Sequence, residues 1–168
     1  MLKRKSKRVL SIVLAVAMIL TMVPFAAFAN ETTTSSDAIA LPTASSTAIF
    51  ANGTPITITK EIPTNGQIVE LSGLTNKGTD AYISWQENGT TKCVGVSKNI
   101  TVVGGKYANG AAVSVPNTCI TMTGGTVNNI YGGNYGMKDN DPNYTSTVTG
   151  DVTMNFSDDA VVLNLLHG

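Results

Sequence analysis

Short runs in which apolar and polar residues alternate dominate the chain from residue 49 onward. Three of them are residues 56–59, 67–71 and 81–85, and Gly, Asn or Pro separates each run from the next. A period of two places successive side chains on opposite faces of a strand, so each run predicts a half-buried β-strand. Residues that favour strands and turns outnumber those that favour helices. The pattern therefore predicts an all-β protein.

A turn signal follows the third run. Asn88-Gly89 stands between residues 81–85 and the next apolar run, and this dipeptide tolerates the positive φ of a tight two-residue turn. We expect a β-hairpin over residues 80–97, within a β cap region that spans residues 49–97. Trp85 either covers the first layer of the fold or stacks on a sugar ring, and the first role is favoured because the open end of a β-structure needs cover.

The second half of the chain contains an internal repeat. Residues 99–107 match residues 119–127 at a spacing of 20, and a looser copy begins at Asp151. Each copy holds a triplet such as Ile120-Thr121-Met122, whose apolar side chains are expected to face inward. A strand, a Gly-Gly corner and a second strand at this period predict a short right-handed parallel β-solenoid (β-helix) over residues 98–168. The alternative is a β-sandwich with similar hairpins. The last copy is incomplete, which is compatible with a truncated repeat array.

Residues 1–29 have the composition of a signal peptide. Five basic residues lie within positions 3–8, an apolar run covers residues 9–25, and Ala27-Phe28-Ala29 precedes a polar segment. This order predicts cleavage after Ala29 and a secreted or cell-surface protein without membrane association after cleavage. The alternative is an uncleaved transmembrane anchor. Pro24 and the small residues near the end of the run favour cleavage.

Cleavage would change the charge of the chain. Residues 30–48 are rich in Ser, Thr and Ala, and they predict a flexible leader. Without residues 1–29 the chain keeps six lysines, eleven acidic residues and no arginine, a net charge of −5. Nucleic acid and anionic membrane surfaces are therefore not expected as partners.

Cys93 and Cys119 would be exported together. One alternative is a disulfide that closes a loop of about 26 residues and stabilises the fold by about 3 kcal/mol. The other is a pair of small buried apolar residues. Neither cysteine has a His/Cys cluster beside it in the sequence, which argues against a zinc site.

Residues 120–133, together with residues 148–154, carry the pattern of a strand, Gly-Gly, Thr-Val, Asn and Ile-Tyr-Gly-Gly. This pattern resembles repeat units of adhesin-like β-helix surface proteins of Gram-positive bacteria. The resemblance covers residues 98–168. It implies a β-helix fold and a binding role at the cell surface.

Two groups of polar residues are candidates for chemistry. Asp139, Asp141 and Asn143 place oxygen ligands at every second position, which predicts either a calcium loop or an ordinary polar turn. Asp158-Asp159, with Asp151 nearby in the sequence, could serve as the acid and base of a carbohydrate-active β-helix enzyme, a polysaccharide lyase or hydrolase. Adjacent aspartates are more typical of a solvated turn. No other cofactor is expected.

Aromatic residues favour binding over catalysis. Tyr131 and Tyr135 flank Gly132-Gly133-Asn134, and they predict an exposed patch on which a sugar ring could stack. We therefore expect a secreted, adhesin-like interaction module that binds an extracellular glycan or protein and catalyses no reaction. The carbohydrate-active β-helix enzyme is the alternative.

Overall fold

The fold described by a computed structural model is all-β, as the sequence predicts. The structure describes residues 38–41, 47–71, 80–108, 112–136 and 145–168, which belong to one compact unit, Ser35–Gly168. The predicted signal peptide lies outside the described residues. The strands in the described residues are β1 (Ala48–Phe50), β2 (Ile56–Thr59), β3 (Gln67–Ile68), β4 (Ala81–Glu87), β5 (Thr90–Val96), β6 (Thr101–Val103), β7 (Val113–Val115), β8 (Thr118–Met122), β9 (Gly125–Tyr131), β10 (Ser146–Val148), β11 (Val152–Phe156) and β12 (Ala160–His167).

These strands pair into three sheets. The first has the order β1-β6-β9-β12, and all its pairs are parallel. The second is the parallel pair β7 and β10. The third has the order β11-β8-β2-β4-β5-β3, with parallel pairs from β11 to β2 and antiparallel pairs along β2, β4 and β5. Parallel pairing between strands distant in sequence therefore dominates the second half of the chain.

Two successive strand triplets lie on each other in register, apart from one irregularity in β12 between Val162 and Leu165. β10, β11 and β12 pair with β7, β8 and β9 respectively. Ser146 pairs with Val113, 33 residues earlier, and Ala160 pairs with Gly125, 35 residues earlier. The structural repeat is thus longer than the 20 residues read from the sequence. The predicted 20-residue spacing is wrong for the way these strands pair.

The physical reason for this error lies in the Gly-Gly corners. The sequence match aligned Gly104-Gly105 with Gly124-Gly125, but in the structure the first pair lies on Gly132-Gly133. The N–H of Gly105 donates to the carbonyl of Gly133 at 2.8 Å, and the N–H of Gly104 donates to the carbonyl of Tyr131 at 2.8 Å. A motif made of Gly, Thr and small apolar residues recurs by composition, so it does not determine which copy stacks on which.

The predicted hairpin over residues 80–97 is confirmed. β4 and β5 pair antiparallel from Ala81 opposite Val96 to Glu87 opposite Thr90. Asn88 has φ of 50° and Gly89 has φ of 74°, the positive values expected of this turn. Trp85 lies on β4 at 7% exposure within the main core cluster, so the structure favours the covering role over a solvent-facing sugar platform.

The first strands of the predicted cap region are also part of the parallel sheets. β1 pairs with β6 and β2 pairs with β8, so residues 49–97 and 98–168 contribute to the same sheets. Part of the predicted leader joins them. Ala40 forms an antiparallel bridge with Phe50, and Ile39 and Leu41 pack against the core. These two apolar residues alternate with Ala40 and explain why this segment lies on the sheet.

The core forms on the inward faces of the stacked strands. Ile100, Val102, Ile120 and Met122 are at most 5% exposed, whereas Thr121 between the last two is half-buried. The predicted orientation of the apolar-Thr-apolar triplets is confirmed for these two copies. Burial of such rows stabilises the stack only while successive strands remain in register.

Replacement of Gly104 by alanine tests this close stacking. A Cβ at Gly104 would meet the carbonyl oxygen of Gly132, whereas a Cβ at Gly133 would approach only a side-chain carbon of Val148, at 3.7 Å. We expect Gly104→Ala to lower the free energy of unfolding by about 1–3 kcal/mol through overpacking. We expect the control Gly133→Ala to change it by less than about 0.5 kcal/mol. Urea unfolding checks both, and equal effects would contradict the proposed contact.

Candidate binding surface

Five aromatic rings come together where strands of the first sheet end. Phe50, Val103, Tyr131 and His167 occupy matching positions on β1, β6, β9 and β12. Tyr107 and Tyr135 form a second matching position, joined by a parallel bridge. We call the five rings the aromatic cluster; its members are Phe50, Tyr107, Tyr131, Tyr135 and His167.

The rings of the cluster form a connected set of contacts. The centroids of Tyr131 and Tyr135 lie 4.6 Å apart, and those of Phe50 and Tyr107 lie 5.5 Å apart. Tyr107 and Tyr135 are stacked at 6.4 Å with an angle of 27° between their planes. His167 lies 6.3 Å from Tyr131. These separations lie in the range in which aromatic pairs attract each other.

Three rings of the cluster are open to solvent. Tyr107 is 51% exposed, Tyr135 is 38% exposed and His167 is also exposed, while Phe50 and Tyr131 are half-buried. The inner rings hold the outer ones through ring contacts, so the exposed faces are fixed in orientation before any ligand arrives. A pair of nearly parallel exposed rings can pack against the flat apolar face of a sugar or against an apolar side chain.

Asn134 holds the corner that carries the two exposed tyrosines. Its Oδ1 accepts a hydrogen bond from the backbone N–H of Lys106 at 2.7 Å, and its Nδ2 donates to the carbonyl of Thr147 at 3.1 Å. The N–H of Ala108 donates to the carbonyl of Tyr135 at 2.8 Å, which ties the two tyrosine segments together. One side chain therefore links three segments that are distant in sequence.

The structure brings the two predicted binding residues together and adds three others. Tyr131 and Tyr135 are in direct ring contact, whereas the roles of Phe50, Tyr107 and His167 were not predicted as part of one cluster. A signal for Tyr107 was present: Gly104-Gly105-Lys106-Tyr107 and Gly132-Gly133-Asn134-Tyr135 share the pattern Gly-Gly-x-Tyr at a spacing of 28. That spacing equals the offset between paired residues of β6 and β9.

The carboxylates proposed for catalysis lie at exposed positions. Asp158 and Asp159 occupy the turn between β11 and β12, and both are exposed. Asp151 is also exposed, and its backbone N–H donates to Oδ1 of Asn117 at 2.9 Å. In the described residues, no enclosed site surrounds these carboxylates. Their exposure favours an ordinary solvated turn over the acid and base of an enzyme. The predicted calcium ligands Asp139, Asp141 and Asn143 lie outside the described residues.

Cys93 and Cys119 are both free thiols. Cys93 lies on β5 and Cys119 on β8, with β4 and β2 between them in the sheet. Three strand spacings amount to about 14 Å, whereas the Cα atoms of a disulfide lie within about 7 Å. The structure thus favours the alternative of two unpaired residues. Burial raises the pKa of the Cys93 thiol, which keeps it protonated and poorly nucleophilic.

No group of three or more His, Cys, Asp or Glu side chains that could hold a metal ion occurs in the described part of the chain. In the same residues, no helix is long and apolar enough to cross a membrane.

Replacement of Asn134 tests how the cluster is held. We expect Asn134→Ala to lower the free energy of unfolding by about 1–3 kcal/mol, because it leaves the Lys106 N–H and the Thr147 carbonyl without this partner. The control is Asn164→Ala, which removes an exposed side-chain bond of 3.0 Å to Asn129. We expect the control to cost no more than about 0.5 kcal/mol. Denaturant unfolding measures both, and a neutral Asn134→Ala would contradict the structural role of Asn134.

The chain was also compared with known proteins. No family model, no curated protein and no solved structure matches it. The geometry of the aromatic cluster is therefore the basis on which a function is assigned.

Proposed function

We propose that this chain is an exported, non-catalytic binding module that binds an extracellular glycan through its aromatic cluster. The observation that carries the proposal is the pair Tyr107 and Tyr135: two exposed, nearly parallel rings, 6.4 Å apart, on matching positions of neighbouring segments. A sugar ring presents C–H groups on its flat face, and these pack well against an aromatic ring. The Gram-positive adhesin-like resemblance of residues 98–168 supports the same role.

The scaffold of this module, in our proposal, is a right-handed parallel β-solenoid. The support is the in-register stacking of two strand triplets at an offset of 33 residues for Ser146 and 35 residues for Ala160. Each triplet supplies backbone hydrogen-bond partners to the next, which is the organising feature of solenoids. The largely parallel pairing disfavours the β-sandwich alternative, since sandwiches are built from antiparallel sheets. Right-handedness follows from the strong preference of parallel crossovers.

A glycan fits the cluster better than a nucleic acid. The chain without residues 1–29 carries a net charge of −5 and no arginine, so a polyanion would be repelled. A neutral oligosaccharide needs no cationic partner and gains from rigid apolar platforms beside hydrogen-bonding side chains. A protein partner with an exposed apolar side chain is the second candidate for the same rings.

A loss-of-ring experiment tests the glycan proposal. We expect the protein to bind cellohexaose or chitohexaose, and the double variant Tyr107→Ala/Tyr135→Ala to bind about 5- to 150-fold more weakly, because each of the two rings contributes about 0.5–1.5 kcal/mol. The matched control is Tyr82→Ala, which removes a partly exposed tyrosine on β4, outside the cluster. Isothermal titration calorimetry gives the affinities, and circular dichroism confirms that each variant is folded.

Three results would overturn this function. Unchanged affinity in the double variant would remove the aromatic cluster from the binding site. Release of reducing or unsaturated sugar ends, abolished by Asp158→Asn/Asp159→Asn, would instead establish the carbohydrate-active enzyme. Failure to bind any neutral glycan, with the double variant losing a protein partner, would favour the second candidate.

Export has its own test. We expect the protein in the culture medium to begin at Asn30, because cleavage after Ala29 needs small residues at positions 27 and 29. Ala29→Leu should leave residues 1–29 attached, whereas the control Phe28→Leu should still be processed. Intact-mass measurement distinguishes the two forms. A precursor that is never shortened would support the transmembrane-anchor alternative.

A further inference from the structure

The last strand triplet lies at the edge of all three sheets. β10, β11 and β12 each have one neighbouring strand, respectively β7, β8 and β9, and no strand of the described residues pairs on their other side. An edge strand presents unpaired backbone N–H and C=O groups along its free side. β12 is the longest of these strands, with eight residues. We call this end of the stack, formed by β10, β11 and β12, the open end.

The hydrophobic core itself reaches solvent at the open end. Phe156 and Leu166 pair with Met122 and Ile130, which face inward and are 0% exposed. Phe156 and Leu166 occupy the same inward positions one layer further on, yet they are 39% and 50% exposed. These side chains continue the core rows of Met122 and Ile130 into the outermost layer of the described residues. Other large apolar residues exposed on β11 and β12 are Val152, Val161, Leu163 and Leu165.

The opposite end of the stack is covered at the first and third sheets. Ala40 bridges to Phe50 on the free side of β1, with hydrogen bonds of 2.9 and 3.0 Å, and the hairpin β4–β5 extends the third sheet beyond β2. A copy of the chain therefore cannot place its open end on the covered end of another copy without displacing these segments. Head-to-tail addition, which would produce a filament, is disfavoured.

We propose that the open end binds the open end of a second copy of this chain, forming a two-fold symmetric dimer. In this arrangement β12 pairs antiparallel with β12 of the partner, and each copy covers the exposed core row of the other. A two-fold interface requires a self-complementary surface, and an apolar edge strand satisfies that condition because its backbone groups can pair with those of an identical strand.

The distribution of charge along β12 fits the antiparallel arrangement. Asp158 and Asp159 directly precede β12, and His167 is its last residue. Antiparallel pairing brings the carboxylates of one copy to the imidazole end of the other, where an imidazole N–H can donate to a carboxylate. The two acidic turns are then separated by the length of the strand, about 27 Å at about 3.4 Å per residue. This exceeds the screening length of about 8 Å at physiological ionic strength, so the turns do not repel each other strongly.

The proposed dimer interface does not include Tyr107 and Tyr135, the two rings that carry the glycan proposal, although His167 belongs both to the aromatic cluster and to the end of β12. The dimer would nevertheless carry two aromatic clusters, and two weak sites in one particle bind a polymeric ligand more tightly than one site does. Monomeric oligosaccharide affinity should be unaffected by loss of the dimer, which separates the two proposals experimentally.

Sedimentation velocity tests the dimer with the protein expressed from the full sequence. We expect a concentration-dependent dimer in the wild type and a monomer in Leu166→Lys, because a charge would replace an apolar contact in the buried row. The matched control is Ile68→Lys on β3, which alters a residue of similar exposure, 52%, away from the open end. The control should remain dimeric.

A cysteine placed near the two-fold axis gives a second test that does not depend on Leu166. A two-fold axis through Leu163 places this residue opposite Leu163 of the partner subunit and Asp159 opposite His167 of the partner subunit, because residues that pair across an antiparallel two-fold have a constant sum of numbers. We expect Leu163→Cys to form a disulfide-linked dimer on mild oxidation, and Thr90→Cys at the hairpin tip to form none. A wild-type chain that remains monomeric at the highest concentration at which it is soluble would overturn the proposal. A dimer that is lost in Ile68→Lys but kept in Leu166→Lys would also overturn it. Cross-linking of Thr90→Cys without cross-linking of Leu163→Cys would also overturn the proposal.

Discussion

The register between parallel strands is the constraint on which the rest of this structure depends. Parallel strands such as β6, β9 and β12 share no tight turn, so only their hydrogen bonds and inward side chains keep them aligned. A slip of one residue would turn Val102, Ile130 and the rest of this core row toward solvent. Gly104 permits the close approach at the corner, because a Cβ there would meet the carbonyl of Gly132. The core rows, the Gly-Gly corners and the aromatic cluster all depend on this alignment of the parallel strands.

The aromatic cluster shows how stacking produces a surface that no single segment contains. Tyr107 and Tyr135 are 28 residues apart and face solvent side by side because β6 and β9 are paired at that offset. Asn134 joins the corners beneath them. The proposed recognition of a neutral ligand depends on these rigid, exposed rings, and the net charge of −5 that the chain carries without residues 1–29 disfavours polyanions. The exposed aspartates contribute charge to the surface and no enclosed site in the described residues.

Local features of this fold were predictable from the sequence, whereas the register was not. Asn88-Gly89 determines its hairpin through the φ values of two residues, and alternation in residues 56–59 identifies β2, since both signals depend on neighbours in sequence. The pairing of Thr101 with Asn129 depends on residues 28 positions apart, and a Gly-Gly motif that also occurs at 124–125 offered a misleading match. Tyr131 and Tyr135 were identifiable as a local pair. Phe50 and His167 join them only through long-range strand pairing.

The 28-residue alignment of β6 on β9 can be measured directly in solution. Multidimensional NMR of the isotope-labelled protein should show backbone NOEs between Val102 and Ile130, and a slowly exchanging amide at Asn128, whose N–H donates to the carbonyl of Ile100 at 2.9 Å. Val102 and Ile130 would be neighbours in no other register of these strands. Backbone NOEs between Val102 and Met122, the pair required by a 20-residue repeat, would contradict the account.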